Sequence, residues 1–477
     1  QIMEQEKMDF SDVCVVCGTG NNGGDGFAIA RMLLEKDYKV QAFLVGDAEH
    51  CTKETKEQIR KLEACGGKVR YCIPEDGHYS LVIDAVFGVG LSRDVDGIYR
   101  QVIEWMNAQD AVRFAVDIPS GLSATTGCVL GCAFEADYTV TFQFKKLGLE
   151  LAQGRKYAGK TVVWDIGISA QPPMDDTDIV KSDEKEDYRK LLPKREEDSN
   201  KGSYGKLLII AGSKGMAGAA YLSALAAYRT GAGLVDIVTP KCNRLVLQQL
   251  LPEAVLHCIS EISEISKDEE QLAYLRNEVL PKAKAIVIGP GLSTDTLAKK
   301  LLDMVLEWNK SQNCPIVIDA DALNLLAMRT NIDQAEYLGE NVILTPHPGE
   351  LGRLMNSSAK EAAKNLLYFA EELQKKFGCI CVCKDARTVI LTQKNRYLNL
   401  TGNSGMATGG SGDVLTGVIA SLAAQGLSAE RAAVLGVWLH GAAGDEAAKE
   451  KSPYSMIARD LADGLSKVLI QISRKKV

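Results

Sequence analysis

The stretch Val13-Cys14-Val15-Val16-Cys17-Gly18-Thr19-Gly20-Asn21-Asn22-Gly23-Gly24-Asp25-Gly26 decides the fold. An apolar run that reads as a buried strand enters five glycines in nine residues, and a helical pattern over Phe27–Glu35 follows. Gly18, Gly20 and Gly23 satisfy G-x-G-x-x-G between a strand and a helix, the context of a dinucleotide fingerprint. Two details set it apart. Asp25 at the helix start puts a carboxylate where a pyrophosphate would rest. The next strand, Lys39–Val45, ends without the ribose-binding acid, because Asp47 comes late. Asn21 and Asn22 offer amide oxygens and donors that suit a small cation or a polar ligand.

Working outward, short apolar runs recur, each followed by Gly or Asp and then a helical pattern. They include Leu81–Ile83, Phe114–Val116, Leu207–Ile210, Ala285–Ile288, Pro315–Ile318 and Val342–Leu344. Such runs read as parallel strands buried on both faces, so both halves are α/β. The stretch Ser169 to Asn200 holds Gln171-Pro172-Pro173 and then a dense charge run, which reads as a solvated linker passing into the next domain. The expected organisation is a first domain over 1–170, a charged linker over 171–187 and a second domain over 188–477.

Two more strand ends in the first half carry acids. Leu81-Val82-Ile83-Asp84 runs into Ala85–Leu91, and Phe114-Ala115-Val116-Asp117 runs into Ile118-Pro119-Ser120-Gly121-Leu122. In an open parallel sheet such carboxyl ends line the ligand crevice. Asn22, Asp84, Asp117 and Ser120 are therefore expected to converge, as hard oxygens for a cation and a group for proton transfer.

The second half centres on Asn403-Ser404-Gly405-Met406-Ala407-Thr408-Gly409-Gly410-Ser411-Gly412-Asp413, ahead of the apolar helix Val414–Ala424. Successive small residues before a helix leave backbone N–H groups to cradle an anion. Asp413, in the first turn, is placed to take a hydroxyl proton as a phosphoryl group arrives. Gly289–Leu292, Asp319–Asn324 and Thr345–Glu350 follow further strands. His347, flanked by prolines in a turn, reads as a ligand contact, whereas His440 on the apolar Ala432–Gly441 helix reads as a packing histidine.

Composition narrows the classes. The chain has 477 residues, 46% hydrophobic and 25% charged, enough for a large core and roughly two to four domains. Net charge is −7 with no basic block, which argues against nucleic-acid binding. No run approaches the ~18 apolar residues of a membrane-spanning helix. Gln1–Phe10 lack a signal core, and since the chain does not begin with Met an upstream piece is expected. Thirteen cysteines but only five histidines form no paired C-x-x-C sets, so buried reduced thiols in a cytoplasmic protein are expected. Cys14 and Cys17 should face opposite sides of a strand, and Cys379, Cys381 and Cys383 one side.

In this order, the glycine motif, Asp84-Ala85-Val86-Phe87-Gly88-Val89-Gly90-Leu91 and Val116–Leu122 resemble the NAD(P)H-hydrate epimerase domain over roughly Val13–Ile168. The resemblance implies a Rossmann-like three-layer α/β/α domain that interconverts R and S hydrates of NADH and NADPH. It also implies that Asn21, Asn22, Gly23, Gly24, Asp25, Gly88, Val89, Gly90, Leu91, Ser92, Arg93, Asp94, Tyr99 and Asp117 line the hydrate. Asn22, Asp84 and Ser120 would hold K⁺, Asp117 would be catalytic, and Lys146 matches a further recurrent position. That family carries one or two helices ahead of its first strand, where this chain has only a dozen residues.

Tyr188–Val477 resembles the ADP- or ATP-dependent NAD(P)H-hydrate dehydratases of the ribokinase-like superfamily. The residues that carry this are Lys201–Lys206, Ala211–Ser213, Gly289–Leu292, Asp319–Asn324, Thr345–Glu350, Lys384–Val389 and Asn403–Asp413. It implies that Ala219, Gly291, His347 and Asp413 contact the hydrate, Asp413 being catalytic. Lys384, Asp385, Ala386, Arg387, Thr388 and Gly412 would bind the nucleotide, with Mg²⁺ and ADP as co-substrate. Asp385 stands where that family has Gly. Together the halves resemble bifunctional NAD(P)H-hydrate repair enzymes, implying small-molecule substrates, no nucleic-acid or membrane partner, and a homo-oligomer. The alternative is a ribokinase-like kinase for a small vitamin precursor with a ligand-binding N-terminal module.

Overall fold

The computed structural model describes residues 9–74, 77–168, 180–182, 188–260, 265–329 and 338–474. The linker expected at 171–187 falls almost wholly outside them. The chain divides into two compact units, Gln1–Gln171 and Pro172–Val477.

The first unit runs β1 (Val13–Cys17), α1 (Asn21–Leu34), β2 (Val40–Leu44), α2 (Lys53–Ala64), β3 (Val69–Arg70), β4 (Leu81–Ala85), α3 (Gly97–Asn107), β5 (Val112–Val116), β6 (Tyr138–Phe142), α4 (Gly154–Ala158) and β7 (Lys160–Trp164). Its sheet has seven strands in the order β3-β2-β1-β4-β5-β6-β7, all parallel. The chain reverses direction across the sheet between β1 and β4, where an open parallel sheet leaves its ligand crevice. All five β1 side chains are fully buried, and each buried valine contributes about 1.5–3 kcal/mol over exposure. Val13, Val15 and Cys17 pack on one face with Phe27, and Cys14 and Val16 on the other with Ile103 and Met106.

Helix α1 starts at Asn21, six residues ahead of the sequence-based expectation of Phe27. Two-thirds of the glycine segment, Asn21–Gly26 of Gly18–Gly26, is therefore helix rather than loop. Close packing explains why glycines, poor helix formers, are used there. A Cβ on Gly23 would lie 1.8 Å from the Gly18 carbonyl, and one on Gly26 would lie 2.6 Å from both Ala85 and Cys17.

The second unit contains β8 (Val180–Ser182), β9 (Lys206–Ile210), α5 (Ala217–Thr230), β10 (Leu234–Pro240), α6 (Arg244–Leu250), β11 (Val255–Ile259), α7 (Ile265–Tyr274), β12 (Ala285–Ile288), α8 (Thr296–Gln312), β13 (Ile316–Ile318), α9 (Asp321–Ala327), β14 (Val342–Leu344), α10 (Pro348–Leu354), α11 (Ala359–Lys364), α12 (Leu366–Phe377), β15 (Ile380–Cys383), β16 (Thr388–Leu391), β17 (Arg396–Asn399), α13 (Ser411–Ala424), α14 (Ala429–Ser455) and α15 (Ala458–Arg474). Its ten strands follow the order β11-β10-β9-β12-β13-β14-β15-β16-β17-β8. They are parallel from β11 to β15, and β15–β16 and β16–β17 are antiparallel. The direction again reverses between β9 and β12. Helix α13, apolar nearly all round, is buried from Val414 to Ala424. It lies so close to α5 that a Cβ on Gly417 would fall 2.0 Å from the Ser223 carbonyl.

The cysteines correct one expectation. None of the thirteen forms a disulfide, yet Cys65, Cys72, Cys242 and Cys258 are exposed; Cys65 closes α2, Cys72 follows the edge strand β3, Cys242 lies in the turn between β10 and α6, and Cys258 is on the edge strand β11. Cys379, Cys381 and Cys383 are buried together, as their alternation implies. No described helix is long and apolar enough to cross a membrane.

Two candidate active sites

In the first unit the β1, β4 and β5 ends bring together the residues that the sequence placed there. Asp84 closes β4 fully buried. Its Oδ1 accepts from the Ser120 hydroxyl at 2.6 Å and from Val86 N at 3.1 Å, and its Oδ2 accepts from Ser120 N at 2.7 Å. The Ser120 hydroxyl in turn accepts from Phe87 N at 2.7 Å. Asn22, in the first turn of α1, donates its amide to the Phe87 carbonyl at 2.9 Å. Burial pushes the Asp84 carboxyl up to about 6 against the pull of these hydrogen bonds. Among the described residues no Lys, Arg or His pairs with it, so a buried carboxylate stands among hydroxyl, amide and carbonyl oxygens without a counter-ion.

Asp117, just past β5, has φ +65°, a left-handed conformation unusual for an L residue. The strained turn is held by Asp117 N donating to the Val140 carbonyl at 2.7 Å. Its Oδ1 accepts from Phe142 N at 3.0 Å and Thr141 Oγ1 at 3.2 Å, and it forms an ion pair with Lys146. Asp25 lies across from it on α1, its proton affinity raised first by burial and then by the Asp117 charge. Tyr99 packs on Phe87 with ring centroids 4.9 Å apart, and its hydroxyl reaches Gly46, where a Cβ would sit 2.5 Å away. Gly88 stacks over Asn22, a Cβ there falling 3.3 Å from the Asn22 Cβ. Ser92, Arg93 and Asp94 are exposed further along the same loop.

In the second unit Asp413 sits in the first turn of α13, after Gly410 at φ +91°. Its carbonyl accepts from the Ser223 hydroxyl at 2.9 Å. Burial, then the neighbouring Asp319 charge, push its carboxyl up to about 7, with Lys384 opposing. Lys384 donates to Asp319 Oδ1 at 2.7 Å. Both lie against Gly412, where a Cβ would be 3.3 Å from Lys384 Nζ and 3.5 Å from Asp319 Oδ2. The front of the glycine loop is anchored from α14: Asp445 accepts from Gly402 N at 2.9 Å and from the Asn403 amide at 3.0 Å.

His347 has a role that the sequence reading missed. It is the N-cap of α10, its Nδ1 accepting from Gly349 N at 2.9 Å and Glu350 N at 3.3 Å, while Glu350 accepts from His347 N. The H-x-x-E spacing of a reciprocal capping box was the available signal. Burial and the Lys384 and Arg353 charges lower its proton affinity, and its side chain keeps half its surface. His440 is buried as expected, and donates from Nε2 to the Ser411 carbonyl at 3.0 Å. Burial pulls it down to about 4, so it is neutral. Gly291, at φ +57°, packs on Ala219, a Cβ there falling 2.9 Å from the Ala219 Cβ. Between β15 and β16, Asp385 and Ala386 are exposed, whereas Arg387 is buried and donates to the Leu400 carbonyl at 2.6 Å. Arg387 thus shapes the loop. Asp319 and Glu350 stood in quoted motifs with no role assigned; their burial, at 2% and 5% exposure, is visible only in three dimensions.

A parallel sheet with its reversal at β1/β4, followed by a sheet with a glycine-rich anion loop and an acid in the next helical turn, defines a two-domain α/β enzyme whose second domain is ribokinase-like. Residues 207–467 match the family model of NAD(P)H-hydrate dehydratase, and residues 4–148 that of the YjeF-related protein N-terminus. The chain is 38% identical to the bifunctional NAD(P)H-hydrate repair enzyme Nnr of Moorella thermoacetica, across 96% of this chain and 87% of that one. It is 36% identical to the Escherichia coli enzyme of the same name, across 95% and 84%. The solved ADP/ATP-dependent NAD(P)H-hydrate dehydratase of Bacillus subtilis, co-crystallised with ATP and Mg²⁺, is 32% identical, with a TM-score of 0.51 over 60% of this chain and 96% of its own. The chain belongs to the bifunctional NAD(P)H-hydrate repair enzymes.

Proposed function

We propose that the first domain, 1–170, epimerises the R and S hydrates of NADH and NADPH, and that the second, 188–477, returns the S form to the reduced nucleotide at the expense of ADP. In the second reaction Asp413 takes the proton of the hydrate C6 hydroxyl as that oxygen attacks the ADP β-phosphorus and AMP leaves. Loss of the phosphate from C6, with a proton from the ring, restores the dihydronicotinamide, so one ADP gives one AMP and one phosphate. The glycine-loop amides ahead of Asp413 receive the transferring anion. Ala219, Gly291 and His347 face the hydrate, and Lys384–Thr388 with Gly412 the nucleotide. Mg²⁺ supplies neutralisation of phosphate charge when bound with ADP.

The observation that carries this reading is the place of Asp413, in the first turn of α13 directly after the anion cradle, with its carboxyl pushed up to about 7 as a general base working at neutral pH requires. In the first domain Asn21–Asp25, Gly88–Asp94, Tyr99 and Asp117 surround the hydrate, and Asp117 with Lys146 handles the proton at C6. K⁺ suits Asn22, Asp84 and Ser120, because a buried carboxylate with hard oxygen neighbours lacks a counter-charge. A cytoplasmic, homo-oligomeric protein belongs to the same proposal, supported by the buried thiols and by the family resemblance.

The rival vitamin-precursor kinase accounts for Asn403–Asp413 but assigns nothing to Asp84, Asp117 and Ser120. Purified protein mixed with R and S hydrates, with and without ADP, decides between them. The return of dihydronicotinamide absorbance from both epimers, only when ADP is present, is the expected outcome. Phosphorylation of a vitamin precursor with no return from the hydrates would overturn it.

A further inference from the structure

Asp413 is faced by charges from several elements. Asp319 and Asp321 come from the β13 end, Lys384 from the β15 end, and neutral His440 from α14 against Ser411. Glu350 and His347, on α10, face Lys384 rather than Asp413. Asp321 is already engaged, accepting from Ser293 N at 2.8 Å. Asp319 and Lys384 form an ion pair of 2.7 Å, with Asp319 only 2% exposed. The pair has a built mounting: Lys384 N donates to the Pro346 carbonyl at 2.8 Å and Asp319 N to the Ile288 carbonyl at 3.2 Å. It crosses β14 to rest against Gly412, the residue before Asp413, and any side chain at 412 would press on the ammonium.

We propose that Asp319 is a positioning residue for the phosphoryl-transfer step: it holds the Lys384 ammonium over Gly412, against the turn that carries the Asp413 base. This rests on the reading of Asp413 as the base. In a site shielded from water, charges a few ångströms away act strongly on a carboxylate. Asp319 disfavours its ionised form and Lys384 favours it. Burial is the larger influence and favours the protonated form; Asp319 adds to it and Lys384 opposes it. Neither residue needs to touch the substrate hydroxyl to do this.

The test is the pH dependence of kcat/KM for ADP-dependent dehydration of the S hydrate, from about pH 5 to 10. Wild type should show an acid limb near 7. Lys384→Met should move that limb to higher pH and Asp319→Asn to lower pH, each by about one unit, a tenfold change in proton affinity. Lys384→Arg should restore the wild-type position, and the double variant should return toward it. Such opposed shifts would not arise from structural damage, and if Asp319→Asn does not fold, Lys384→Met and Lys384→Arg still decide. An unmoved limb in the foldable variants would overturn the proposal. So would an Asp319→Asn variant that needs more Mg²⁺ while its limb stays fixed, since Asp319 would then be a metal ligand. Asp413→Asn separates the two readings: a limb that survives in that variant overturns Asp413 as the base.

Discussion

Ser120 grips both oxygens of Asp84, its hydroxyl donating to Oδ1 at 2.6 Å and its backbone N–H to Oδ2 at 2.7 Å, where water does not reach. Ser120→Ala removes the hydroxyl and also leaves Phe87 N without its acceptor. A buried donor left unmade costs about 1–3 kcal/mol, so urea unfolding of the first domain should shift by that amount. Dehydration should be unchanged.

Asp84→Ala goes further, deleting the carboxylate itself. Epimerisation should be lost together with any stimulation by K⁺, while ADP-dependent dehydration of pure S hydrate continues. Equal damage to both activities would remove Asp84 from the first site.

Asp117→Asn keeps the size and the acceptor for Phe142 N but removes the charge that pairs with Lys146. R-to-S conversion should fall by on the order of 10²–10⁴. Weakened substrate binding with a nearly unchanged rate would mean that Asp117 positions the ligand only.

Asp413→Asn should stop AMP formation and the return of dihydronicotinamide together, because phosphorylation precedes elimination. ADP binding, measured by calorimetry, should survive. Near wild-type AMP formation in this variant would place the base elsewhere.

The same substitution has a consequence for stability. An aspartate that titrates at 3.8 in an ordinary setting and at about 7 here binds its proton more tightly folded than unfolded. Between those values the folded state holds more protons, so its stability falls as pH rises, and levels off above about 7. Asp413→Asn lacks this decline. Its melting temperature should exceed wild type at pH 8 by more than at pH 4, where the two should converge.

The strands were legible because each is a continuous apolar run closed by a small or acidic residue: Val13–Cys17, Ala285–Ile288 and Val342–Leu344 all form as read. The start of α1 was not, since Asn-Asn-Gly-Gly-Asp-Gly is poor helix sequence and is helical only because backbone approaches backbone at Gly18 and Gly23. Among site residues, acids at strand ends could be read one by one, and Asp84 does meet Ser120. The Asp319–Lys384 pair could not, because 65 positions separate its members and only the adjacency of β13, β14 and β15 joins them. His347 was read as a ligand contact from its prolines; its spacing to Glu350 also encodes a helix cap, which that reading did not use.

Helix α13 touches α5 backbone to backbone at Gly417, and Ser223 and Ser421 tie the two together through the carbonyls of Asp413 and Ala227. A mount of this kind cannot tilt or slide by an ångström without breaking both ties. A change of substrate preference that keeps both ties therefore has to come from residues outside them. The acid and its anion cradle hold together as one fixed part, and a redesigned site would alter what is presented to that part rather than the part itself.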